Sequence, residues 1–146
     1  HALRLRLVLQ RAKLGAVAVS NSHWADGLAS SLRTGLAAAP RGTRAILVLL
    51  SDQPQVEAAA LSRLVRAWRR RPGVPAAAAY LGGTGVPAIL PRRSWPALRA
   101  LRGDSGARAL LRNTAALTSV AMPEAALDID TPADLKLLSS RNLPSR

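Results

Sequence analysis

The run AILVLL at 45–50, ending in Ser51, Asp52, Gln53 and Pro54, limits what this chain can fold into more than any other stretch. Consecutive apolar residues with no polar alternation predict a strand covered on both faces, as in a parallel sheet between helical layers. Pro54 then forbids the strand to continue, because it has no N–H for the ladder. The run therefore delivers a carboxylate, Asp52, to the carboxyl end of a predicted central strand. In open α/β sheets that end forms the ligand crevice.

Helical and extended patterns alternate around this strand. AVAVS at 16–20 reads as a buried strand, and ASSLRTGLAAA at 29–39 as a helix stopped by Pro40. EAAALSRLVRAWRRR at 57–71 predicts a helix with Glu57 in its first turn and arginines in its last, both favoured by the helix dipole. VPAAAAY at 74–80 predicts a strand, LGGTG at 81–85 a flexible turn, and VPAIL a short apolar segment. Short helices are predicted near 94–101 and 104–113, extended segments at LTSVAMP and LDID, and a last helix over 132–140. Residues 2–13 fit either a helix or an edge strand. Strands alternating with helices imply right-handed crossovers, and hence one α/β domain over 1–146 with a largely parallel sheet.

Composition excludes several classes. No apolar run approaches the ~20 residues of a membrane span, and the early arginines lie inside the apolar pattern rather than ahead of it. A soluble, cytoplasmic protein is expected, with no membrane partner. With no cysteine there is neither a disulfide framework nor a thiolate metal site. The formal net charge of +13 raises nucleic acid as a partner. Yet Lys13 and Lys136 are the only lysines, and the arginines are scattered among alanines and leucines, as GC-rich coding produces. Nucleic acid is therefore not expected; a triphosphate is the competing polyanion. Residue 1 is His and the only methionine is Met122, which predicts that the chain is the later part of something longer.

Asp52 admits two readings, a ligand for a hard cation such as Mg²⁺ or a turn aspartate bonding its own backbone. In LDIDTPADL at 127–135, Thr131, Pro132 and Asp134 make a helix start: a hydroxyl cap, a proline, then a carboxylate. Asp128 and Asp130 are not needed by that cap. Two apart in an extended segment, they share a face and repel unless a cation or proton lies between them. If that face meets Asp52, the three make a divalent metal site. In NSHWADGLASSLRTG, Asn21 follows a predicted strand, Gly27 permits a tight turn, and Ser30 and Ser31 head a helix whose N–H groups attract anions or base carbonyls. The glycines of GTGVPAIL at 83–90 let a ligand approach the backbone. Asp104, at a helix start with Arg108 one turn later, reads as a cap or ion-pair partner. His1 and His23 are too isolated to ligate a metal. Trp24 is a candidate pocket wall, and Trp68 and Trp95 are candidates for the core or an interface.

Five segments in order, NSHWADGLASSLRTGL, LVLLSDQPQV, GVPAILPR, LRGDSGARALL and DIDTPADL, resemble the MobA-like nucleotidyltransferase family, and most closely its molybdenum cofactor cytidylyltransferase branch. The resemblance covers residues 21–138. It implies a Rossmann-like three-layer α/β fold and Mg²⁺-dependent transfer of a nucleotidyl group, CMP favoured, from a nucleoside triphosphate to a phosphorylated acceptor, with release of pyrophosphate. CTP is favoured over GTP as donor, a molybdopterin-type compound is the implied acceptor, and a molybdoenzyme or its chaperone is the implied protein partner. By the same resemblance Asp52 ligates Mg²⁺ with Asp128 or Asp130 as the second ligand, and the Asn21–Ser31 loop, including Gly27 and Ser30, recognises the base. Gly85, Pro87, Asp104 and Arg108 line the substrate side. Members open with a strand and a glycine-rich LAAGxSxRxGxxK loop that cradles the triphosphate, and nothing here matches it. GLAAAPRGTR at 35–44 precedes a strand and lacks the lysine. The chain is thus expected to keep the metal ligands and much of the base pocket, to lack its first strand and main triphosphate grip, and to be weak or inactive by itself.

Two other readings stand beside this one. Asp128-Ile129-Asp130 matches the Asp-x-Asp metal motif of a nucleotide-sugar glycosyltransferase. A non-catalytic remnant that pairs with a partner, or a basic binding module, would show salt-dependent polyanion binding without metal-dependent nucleotide binding.

Overall fold

The computed structural model describes residues 15–131, 133 and 134. The predicted element at 2–13, and nearly all of the one at 132–140, lie outside the described residues. Four strands form one sheet: β1 (Ala45–Val48), β2 (Ala76–Tyr80), β3 (Gly83–Pro91) and β4 (Thr118–Ala121), in the order β1-β3-β2-β4. β3 pairs antiparallel with both β1 and β2, and β2 pairs parallel with β4. Three strands therefore run one way and β3 alone runs back between them.

The helices are α1 (Leu28–Ala37), α2 (Ala58–Arg69), α3 (Trp95–Ala100) and α4 (Ala107–Arg112). α2 begins after Glu57, which sits at the N-cap, and ends with Arg66 and Arg69 in its last turn. The charges thus lie where the helix dipole favours them. Period-2 alternation divides the core between the two faces of the sheet. Ala76, Ala78 and Ile89 pack with Leu64 of α2, whereas Ala77, Ala88 and Leu90 pack with Leu98 of α3 and Leu111 of α4. The result is helix, sheet, helix, the three-layer α/β arrangement that alternating elements impose. Leu64, Leu90, Leu98 and Leu111 are fully buried, each contributing about 1.5–3 kcal/mol of apolar transfer.

The expected central strand is an edge. Among the described residues β1 has β3 as its neighbour on one side only, and Leu47 is 38% exposed. An unbroken apolar run reports that a strand is wanted, not how many neighbours it has. The segment at 16–20 forms no strand; Val17 is 83% exposed and pairs with nothing among the described residues. The predicted flexible turn at 81–85 is instead a two-residue hairpin. Tyr80 pairs with Gly83 across Leu81 and Gly82, whose φ values of 50° and 71° suit the strand twist of such hairpins.

β3 tolerates Pro87 because the register shifts there. Ala77 pairs with Ala88 and Ala78 with Gly85, leaving Val86 and Pro87 as a bulge where no ladder N–H is required. Among the described residues no helix is long and apolar enough to cross a membrane.

Candidate functional site

The carboxyl end of β1 opens into a recess of about 770 Å³ walled by three segments. Leu28 and Ser31 of α1 stand on one side, Asp104 to Arg108 and Arg112 on the other, and Val48 to Leu50 with Gln53 form the floor; Asp128 and Val86 also reach it. Ser31, Asp104, Arg108 and Asp128, singled out by the sequence, therefore share one cavity. Beyond the β2–β3 hairpin lies an outer recess of about 780 Å³, lined by Ala79 to Thr84 with Arg108 and Arg112.

Asp52 lies just behind the floor. Its backbone carbonyl accepts the Ile129 N–H at 2.8 Å, so the segment carrying Asp128 and Asp130 is tied to the end of β1. Its Oδ1 is buried and has no hydrogen-bond partner among the described residues. A turn aspartate bonding its own backbone would satisfy that oxygen, so the unpaired atom argues against that reading. The three carboxylates do not close into a cluster. Among the described residues no group of three or more His, Cys, Asp or Glu side chains could hold a metal ion. Asp128 lines the recess, whereas Asp130 is exposed and does not. Mutual repulsion of carboxylates with no cation between them accounts for the spacing. The donor set nonetheless fits a hard divalent ion, since it consists of carboxylate oxygens, one buried and unpaired, with no nitrogen or sulfur ligand nearby.

Gln53 was not anticipated. It is 5% exposed, and its Nε2 donates to the Ala125 carbonyl at 2.8 Å and the Val86 carbonyl at 3.3 Å. These bonds tie the floor to the bulge of β3 and to the 3-10 turn Pro123–Ala126. An amide between an apolar strand and a proline was the available signal, because a strand end buried beneath a crevice leaves carbonyls that need donors.

The loop before α1 bonds mainly to itself. Asn21 Nδ2 donates to Ser30 Oγ at 2.7 Å and Ser31 Oγ at 3.1 Å, and Ser30 Oγ bonds to the carbonyls of His23 and Gly27 at 2.7 and 2.8 Å. Ser30 is 2% exposed and its hydroxyl is already engaged; Ser31 is the exposed member. The N–H groups at the start of α1 are not free for an anion as the sequence suggested. Ala29 donates to the Gly103 carbonyl at 3.0 Å and Ser30 to Gly27 at 3.1 Å. Gly27 (φ 86°, ψ −177°) caps α1 and packs on the opposite wall, where a Cβ would lie 2.4 Å from Gly103 C. Trp24 is 75% exposed and does not line the recess.

Gly85 serves packing rather than ligand approach. A Cβ there would meet Tyr80 Oη at 2.5 Å and Arg108 Nη2 at 3.2 Å. In that space Tyr80 O–H donates to the Val86 carbonyl at 3.1 Å and accepts from Arg108 Nη2 at 3.1 Å, with the guanidinium 5.8 Å from the ring centre. Pro87, preceded by a cis peptide bond, is fully buried; Val86 reaches the recess in its place. Asp104 neither caps α4, whose N-cap is Gly106 without a side-chain bond, nor forms an ion pair among the described residues. It stays exposed at the rim, opposite Gly27.

Asp134 accepts from the Thr131 N–H and hydroxyl, each at 2.8 Å, while its own N–H points back to Thr131. The Thr131 bonds hold its carboxyl below the usual carboxylate range, as a capping box does. Seven exposed arginines (Arg41, Arg44, Arg69–Arg71, Arg92 and Arg93) flank the far end of the sheet, where the Arg92 N–H bonds the Arg44 carbonyl. Much of the positive charge thus lies away from the recess.

No curated protein sequence matches the chain. Among solved structures, an Rv0371c homologue from mycobacterium sp. strain JC1 superposes with a TM-score of 0.62 at 23% identity, covering 87% of this chain and 60% of that one. Rv0371c from Mycobacterium tuberculosis H37Rv gives 0.65 at 29% identity, with 77% and 59% covered. A manganese complex of Rv0371c from the same organism gives 0.61 at 30% identity, with 74% and 59% covered. The chain therefore spans about 60% of the length of these relatives. Residues 4–120 match the MobA-like NTP transferase domain. With its crevice at the carboxyl end of β1 and a match over most of its length, the chain belongs to the MobA-like NTP transferase domain family.

Proposed function

We propose that this domain binds a nucleoside triphosphate, CTP in preference to GTP, and transfers its nucleotidyl group to a phosphorylated acceptor such as a molybdopterin-type compound. The observation that carries the reading is the buried, unpartnered Oδ1 of Asp52 beside a recess that Asp128 lines. Asp52 with Asp128 would hold a divalent ion, Mg²⁺ or, as in the complex of the M. tuberculosis relative, Mn²⁺. Bound there, the ion offsets phosphate charge and orients the reacting groups.

The chain's own groups do the remaining work. Ser31 and Gln53 offer polar contacts within the recess, and Arg108 offers guanidinium N–H groups to a phosphate. An acceptor phosphate oxygen attacks the α-phosphorus in line, the bond to the β-phosphate oxygen breaks, and pyrophosphate leaves. Catalysis of this kind rests on positioning and charge rather than a protein nucleophile. That suits a chain with no cysteine and two histidines.

Titration of CTP and of GTP into the protein, with and without Mg²⁺, tests the reading. Metal-dependent affinity is expected, tighter for CTP. Absence of metal-dependent affinity for either nucleotide counts against it.

A further inference from the structure

The two recesses are separate volumes, about 770 and 780 Å³, yet Tyr80, Arg108 and Arg112 line both. A small-molecule site occupies about 300–1,000 Å³, so the inner recess alone accommodates one nucleotide-sized ligand. The outer recess is then a second site of similar size, joined to the first through two cationic side chains.

Arg108 and Arg112 are four residues apart on α4 and so share one face. Neither is ion-paired among the described residues. Arg108 is held in place by Tyr80, whose ring lies beneath it and whose oxygen accepts from Nη2 at 3.1 Å. Tyr80 is fixed in turn by its bond to the Val86 carbonyl, and the missing side chain of Gly85 leaves the room. One guanidinium is therefore pre-set and keeps donors to spare, with a second one helical turn away. Facing them are Gly82 and Gly83, where a Cβ would meet nothing within 4 Å.

We infer that the outer recess is the site of the second substrate, a phosphomonoester-bearing small molecule, whose phosphate is taken by Arg108 and Arg112 at the wall the recesses share. This rests on the transferase reading for its place in the reaction, but the anion site stands on its own geometry. Arg112 determines which acceptor is bound, whereas Tyr80 is a positioning residue acting through Arg108. Two phosphates brought to one arginine pair from opposite sides would have their mutual repulsion offset where they must meet.

Phenyl phosphate is a suitable probe, followed by ³¹P NMR on the intact chain with saturating CTP and Mn²⁺-free Mg²⁺ buffer. It should bind while nucleotide is present. Arg112→Gln should weaken it about tenfold or more, the loss expected of one charge-assisted contact. Gly83→Leu, which fills the recess without meeting a neighbour, should weaken it similarly. Both variants should keep metal-dependent CTP affinity within about twofold, because the inner recess and Asp52 are untouched. Equal binding to wild type and Arg112→Gln would overturn the inference, as would no binding to wild type or one-for-one displacement by CTP. Arg112-dependent phenyl phosphate binding with no CTP binding would leave the anion site standing and sink the transferase reading.

Discussion

Replacing Gly27 by alanine should separate the two walls of the inner recess, and the structure sets the size of the effect. At φ 86°, ψ −177° the backbone is in a region that only glycine occupies readily. A side chain there costs about 1–3 kcal/mol. The new Cβ would also lie 2.4 Å from Gly103 C and 2.5 Å from its oxygen, against backbone that cannot swing aside. Overpacking of that kind adds about 1–3 kcal/mol, giving about 4 kcal/mol in all. For a chain of this length that corresponds to a fall in Tm of roughly 8–16 °C. Gly42→Ala supplies the control, since Gly42 also has φ 86° but a Cβ there would meet nothing within 4 Å. Its cost should be the backbone part alone, about 1–2 kcal/mol. Urea titrations of both variants measure the difference, expected to be about 2 kcal/mol or more. Equal destabilisation would refute the argument, because the contact between the Gly27 turn and Gly103 would then contribute nothing.

Asp52→Asn should leave the metal-free protein as stable as wild type or up to about 1 kcal/mol more so, since a buried unpaired carboxylate oxygen is lost. A metal-free loss above about 2 kcal/mol in a melt would show that the carboxylate is held by protein donors instead. Tyr80→Phe removes the bond to the Val86 carbonyl and the acceptor for Arg108, and should cost about 1 kcal/mol in urea unfolding. Glu124 is held below its ordinary value of 4.5 first by its own backbone N–H and then by Arg63. A depressed carboxyl stabilises the fold above 4.5, and that contribution disappears as pH falls through the folded value. Arg63→Gln should therefore lower stability at neutral pH by a few tenths of a kcal/mol, with the difference shrinking in acid. Melts between neutral pH and acid would contradict this if the variant's deficit grew as pH fell.

Local patterns in the sequence carried the helices and the sheet faces. The 57–71 segment gave α2 from its periodicity and terminal charges, and VPAAAAY gave β2 within two residues. What depends on distant partners was not legible. AVAVS has strand composition but pairs with nothing among the described residues, and AILVLL lies at an edge, because a neighbour is supplied by another part of the chain. β3 was hidden by its glycines and prolines, which mark the hairpin and the bulge rather than a loop. At the site, Asp52, Asp128, Ser31, Asp104 and Arg108 were found because strand ends and helix starts mark crevices. Gln53 and Tyr80 were missed because their roles come from carbonyls far away in sequence, at Ala125 and Val86. Pro87 and Gly85 were read as facing a ligand, and both are enclosed.

The central claim is that Asp52 and Asp128 offer a divalent ion to a triphosphate at the floor of the inner recess. Titration of Mn²⁺ with CTP present, followed by the EPR signal of the free ion, tests it on wild type, Asp52→Asn, Asp128→Asn and Asp130→Asn. The account predicts tight uptake by wild type and by Asp130→Asn, and loss of at least about tenfold in affinity for the other two. Identical curves for wild type and Asp52→Asn would contradict it.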